Sequence, residues 1–157
     1  MVYFFHMVKE GETTWQDILV DQGYLSADVI ARVEHEADET HADPLDVLFA
    51  SGDITKELFG QAIAEYYQVP FADLNAHPPT SEHRDAIPEH IAREDRCVLF
   101  SESDTEVVFA TDRPNTPLSS EYAEHFPGKV LRLAYALPED IDTVLGGYRK
   151  PLDTRFA

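Results

Sequence analysis

Two stretches decide the fold: ILVDQGYLSADVI, Ile18 to Ile30, and VLFASGDITKELF, Val47 to Phe59, which align on Gly23 and Gly52 at a spacing of 29 residues. Each opens with an apolar triplet, Ile18-Leu19-Val20 or Val47-Leu48-Phe49, that closes a short helix. A glycine follows where a helix C-terminus turns into the left-handed region, open to a residue without a Cβ. One apolar residue comes next, Leu25 or Ile54, then Ser26 or Thr55 at an N-cap position, with Asp28 or Glu57 in the first turn of a longer helix. Val29, Ile30 and Val33, and Leu58, Phe59, Ala62, Ile63 and Tyr66, carry the helical spacing of those longer helices. The repeat predicts two helix pairs that stack on their apolar faces. The segment EHEADETHADP between the copies reads as a polar linker, with Asp43 capping the next short helix and Pro44 in its first turn.

From Val69 the pattern turns to short extended pieces. VPFADL, Val69 to Leu74, reads as a strand entered through Pro70, followed by a proline-punctuated crossing and a short helix near Pro88. CVLFSES and EVVFATD flank an SDT turn and predict a β-hairpin. A helix from about Pro117 to His125, a strand KVLRLAYA from Lys129 to Ala136, and a helix from Pro138 to Gly146-Gly147 complete the reading. The expected fold is α+β: a helical subdomain of two repeated helix pairs over residues 1–68, then a small α/β subdomain with a β-hairpin over 69–150. The stretch YRKPLDTRFA shows no turn or cap signal, so residues 151–157 read as the start of a linker in mid-protein.

Composition narrows the function classes. The 157 residues hold 30 acids and 12 bases, a formal charge of −18, with 43% hydrophobic residues, enough to bury a core. Residues 1–83 carry 16 Asp and Glu against Lys9, Arg32 and Lys56, a balance of −13. Such a surface repels phosphate, which disfavours nucleic acid and anionic lipid and favours a basic protein patch or plain solubility. One cysteine, Cys97, excludes an internal disulfide and a cysteine-cluster metal site, and it reads as a small buried thiol. MVYFFHMVKE lacks the basic start and long apolar core of a signal peptide, and no apolar run approaches the roughly 18 residues that span a bilayer.

No catalytic constellation is found. In HEADETH, His35 and His41 are six apart and fall on different helix faces, while His35 with Glu39 makes only two ligands, so no metal site is expected. His83 and His90 have no cysteine or serine nucleophile context. Neither GxxxxGK[ST] nor GxGxxG occurs, and Gly146-Gly147 reads as a helix stop. No cofactor is expected.

The doubled pattern of apolar pair, glycine and Ser/Thr-capped helix, followed by AEYYQVPFADL, resembles the N-terminal domain of bacterial type II secretion and type IV pilus assembly ATPases. The resemblance runs on through AIPEHIAREDRCVLF, the Ala-x-Asp segment in ATDRPN and VLRLAYALPEDIDTVLGGY. It implies a non-catalytic cytoplasmic domain beside a hexameric motor ATPase, docking on a pilus or secretion platform protein and reaching the inner membrane only through that partner. Some members bind cyclic di-GMP through both repeats, each starting with Arg-Leu-Gly and ending with Gln. Those positions fall here on Thr14, Trp15 and Gln16, on Asp43, Pro44 and Leu45, and on Ala37 and Tyr66; the apolar Leu19, Ile30, Leu48 and Phe59 persist. Both arginines are absent, and arginine supplies the strong charge-assisted contacts to phosphate. The resemblance therefore implies a docking module first and a cyclic di-GMP sensor as the alternative, with Thr14, Trp15, Leu19, Ile30, Asp43, Leu48, Phe59 and Tyr66 as its ligand residues.

Overall fold

Small polar residues stop and start the helices of the first half. In the computed structural model, which describes residues 13–148, Thr14 caps α1 (Trp15–Asp21), Ser26 caps α2 (Ala27–Thr40) and Asp43 caps α3 (Pro44–Ser51). Thr55 Oγ1 accepts from the Leu58 N–H at 3.1 Å at the start of α4 (Lys56–Tyr67). Each such bond satisfies an otherwise orphaned donor and contributes about 0.5–2 kcal/mol. Gly23 and Gly52 both sit at φ +80, so the two copies make the same left-handed exit from their short helices. The repeat read from the sequence is a repeat in space.

The chain divides between Tyr66 and Tyr67 into two units. In the first, Leu19, Val33, Leu48, Phe59 and Ala62 are wholly buried. Phe59 is held edge-on by two rings, Trp15 at 5.8 Å and Phe49 at 5.3 Å. Arg32 on α2 bonds Asp53 at 2.6 Å, tying the first long helix to the turn of the second repeat. That bond and a second from Ser51 hold the Asp53 carboxyl below its ordinary range.

One expectation for this half is corrected. The segment Glu34 to Pro44 is no linker: α2 runs on to Thr40 and ends at His41, whose φ of 58 is left-handed. Val33 and Ala37 carry the buried stripe on at four-residue spacing, while the acids between them face out.

In the second unit, α5 (Ser81–Asp85) and α6 (Glu89–Asp95) lead into the antiparallel hairpin of β1 (Cys97–Glu102) and β2 (Glu106–Thr111). Then α7 (Ser120–His125) crosses to β3 (Val130–Tyr135), parallel to β2, and α8 (Pro138–Gly146) follows. The sheet order is β1-β2-β3, with a register shift between Leu99 and Ser101. Val107 and Phe109 of β2, Leu99 of β1, Tyr122 of α7 and the Phe126 that caps its C-terminus are buried in one core. The Phe109 ring meets Tyr122 at 5.1 Å and Phe126 at 5.6 Å, both edge-on.

Three local readings change here. Val69 to Leu74 is no strand but a single bridge, Phe71 opposite Tyr135, framed by Ala72 N–H to the Tyr135 carbonyl and Tyr135 N–H to the Pro70 carbonyl. Pro70 has no N–H to extend the ladder, and the Asp73 side chain accepts from the Asn75 and Ala76 N–H groups, turning the chain away. The proline-rich crossing holds a short helix, α5, capped by Thr80; α7 begins at Ser120, capped by Ser119, rather than at Pro117.

Cys97 is buried at the start of β1, and burial pushes its thiol up to about 12. Only the thiolate reacts with disulfide reagents. At pH 8 Cys97 is therefore expected to react about a thousandfold more slowly in the native chain than in urea, followed with Ellman's reagent. Equal rates would place the thiol in solvent.

Candidate binding groove in the first repeat

Between α1 and α2 the helical unit opens a groove of about 430 Å³. The Thr14 cap and Gln16 stand at one end of α1, Asp17, Val20 and Asp21 follow along it, and Ala27, Ile30 and Glu34 face them from α2. The spacing explains the gathering. Residues 17, 20 and 21 share one face of α1, and 27, 30 and 34 share one face of α2. Val20, Ala27 and Ile30 give it apolar surface, while Asp17, Asp21 and Glu34 give it three carboxylates. Among the described residues no lysine or arginine lines it.

Of the residues marked from sequence, Thr14 and Ile30 line this groove, as does Gln16. Trp15 is half-buried against Phe59. Leu19, Leu48 and Phe59 are closed into the interior, and Ala37 is buried too. Asp43 spends its side chain capping α3, Leu45 is half-buried, and Tyr66 is exposed. The eight residues thus form no single wall. Asp17, Val20, Asp21, Ala27 and Glu34 were not legible as a site, because the turn at Gly23 that brings α1 and α2 face to face leaves no mark on which polar residues oppose one another.

Elsewhere the titratable groups serve structure. Arg96 donates from Nε to Asp112 Oδ2 at 2.7 Å, lies 2.9 Å from Asp142 Oδ1, and donates to the Pro138 carbonyl at 3.3 Å. Arg93 bonds Glu89 at 2.7 Å and the Leu145 carbonyl at 2.9 Å. Two arginines beside β1 thereby hold both ends of α8. Burial raises the Asp112 carboxyl even though Arg96 opposes the shift. His35 reaches Glu39 at 3.2 Å on an exposed helix face, and among the described residues no group of three His, Cys, Asp or Glu is placed to hold a metal. No helix among them is long and apolar enough to cross a membrane.

A doubled helix pair followed by a three-stranded mixed sheet defines an α+β domain of the kind found at the N-terminus of type II secretion and type IV pilus ATPases. The MshEN domain family matches residues 67–154, more than half of the chain, and the chain belongs to that family. The solved structure of MshE with cdg shares the fold at 18% identity and a TM-score of 0.55, covering 88% of this chain and 100% of that one. The N-terminal domain of XpsE matches at 15% identity and a TM-score of 0.43, covering 93% of this chain and 96% of that one. No curated protein matches the chain. The family match begins at Tyr67, so the helical repeats are likened to MshE through the fold alone.

Proposed function

We propose that the chain is a non-catalytic docking and regulatory domain of a pilus assembly or secretion ATPase, whose acidic helical unit meets a basic surface on a platform protein. The observation that carries this reading is the groove of the first repeat, where, among the described residues, three carboxylates and no cation stand around apolar side chains. Opposite potentials steer association and fix register, while like charges reject the wrong partner. In this reading the domain works in the cytoplasm beside a motor ATPase domain of the same protein, in a hexamer, and reaches the inner membrane through its partner.

One observation favours a second reading, a cyclic di-GMP sensor: Thr14 and Ile30, two positions of the relatives' ligand pattern, do line the groove. Charge decides between the two. A cyclic dinucleotide brings two phosphates to a site with three carboxylates and no arginine, and desolvating like charges together is costly. Isothermal titration with cyclic di-GMP is expected to give no heat of binding at micromolar concentration. Saturable micromolar binding would replace the docking reading with the sensor.

A further inference from the structure

The two repeats share a backbone plan, yet the side chains that line the first groove are replaced at all but one position in the second. Counterparts lie 29 residues apart. Where the first copy has Val20 and Ile30, the second has Phe49 and Phe59, whose rings meet edge-on at 5.3 Å. Asp21 and Glu34 correspond to Ala50 and Ile63, so the second copy has lost two of the three carboxylates as well. At the position of Ala27 it carries Lys56, whose ammonium stands 5.8 Å above the Phe49 ring. The second repeat thus carries large rings and a cation at positions where the first carries neither.

The first repeat inverts each of these choices. It has small aliphatic walls, acids in place of apolar residues, and a methyl group where its twin has a lysine. From this inversion the geometry points to a short lysine- or arginine-bearing segment of a partner protein as the occupant of the α1–α2 groove. The stems of its basic side chains lie on Val20, Ala27 and Ile30, and their charged heads stand among Asp17, Asp21 and Glu34. A groove of about 430 Å³ is within the range of specific ligand sites and takes more than one side chain. This inference rests on the docking reading and assigns it a place and a partner chemistry.

The test is fluorescence anisotropy with a labelled helical peptide of lysine, leucine and alanine, set beside the same peptide with glutamate for lysine. Asp21→Asn combined with Glu34→Gln removes two groove charges; Glu36→Gln combined with Glu39→Gln removes as many from exposed positions of α2 that do not line the groove. Ala27→Lys gives the first repeat the cation of the second. The groove pair and Ala27→Lys are each expected to weaken binding of the basic peptide tenfold or more, the Glu36/Glu39 pair less than twofold, and the acidic peptide should not bind. Equal losses from both acid pairs would mean diffuse attraction and overturn the assignment, as would unchanged binding by the groove variants or no binding by the wild-type chain. Should Ala27→Lys fail to fold, the groove pair still decides. Neither result depends on the cyclic di-GMP titration, so the groove assignment and the docking reading fail separately.

Discussion

Phe59→Ala is expected to destabilise the helical unit by about 3–5 kcal/mol, enough to leave much of it unfolded. Phe59 is wholly buried, and the edges of Trp15 and Phe49 close on its ring from two sides. Truncation removes the ring's burial, both aromatic contacts, worth about 0.5–1.5 kcal/mol each beyond area, and leaves a cavity. Trp15 is the chain's one tryptophan and reports on this spot directly. Its fluorescence during urea unfolding should show a midpoint well below that of the wild type. A shift worth less than about 1 kcal/mol would mean that Trp15 and Phe49 collapse into the space and that this core is looser than its burial implies.

The second large effect is expected at Arg96→Met, about 3–5 kcal/mol in the sheet unit. The Asp112 side chain is only 8% exposed, and Arg96 is its 2.7 Å partner; among the described residues Oδ1 has no hydrogen bond, and the Arg113 Nε stands 4.0 Å away. Methionine keeps much of the stem and removes the charge, leaving a carboxylate in low dielectric. The pH dependence follows in sign. Burial holds the Asp112 carboxyl above its unfolded value, so its protonation favours the folded state and its ionisation as pH rises costs stability. Without Arg96 the carboxyl rises further and that cost grows. The variant should therefore lose most near pH 7 and approach the wild type as pH falls through the carboxylate range, with Cys97 reactivity in urea as the readout. A loss of the same size at both ends of that range would assign the effect to packing of the arginine stem rather than to charge.

Local chemistry explains what could be read directly. Gly23 and Gly52 forecast their left-handed turns, Ser26 and Thr55 forecast their caps, and the SDT turn forecast the hairpin, because each signal lies within a few residues of what it causes. The misread segments carry weak or competing local signals. EHEADET holds good helix formers in Glu34, Glu36, Ala37 and Glu39 but one apolar residue, Ala37, too few to show a periodic face, and that one is buried. VPFADL has the composition of a strand, and what limits it to one bridge is a proline at its start and the Asp73 turn at its end. The groove was legible least of all. Thr14 and Ile30 were marked through a resemblance, whereas Asp21 and Glu34 look like two more solvated acids until a turn sets α1 opposite α2.

The parallel pairing of β2 with β3 bears on the order in which the sheet assembles. β1 and β2 close across residues 103–105, a contact of the kind that forms in roughly 1–10 μs. β3 must wait until residues 112–129, α7 among them, have been gathered into a crossover. During that interval Val107, Val108 and Phe109 offer a bare apolar ladder to any neighbouring chain, the circumstance in which nascent sheets aggregate. A formal charge of −18 keeps such neighbours apart. The acidity that we propose suits the groove to a basic partner therefore also protects the half-built sheet from its own copies, a protection that added salt would screen.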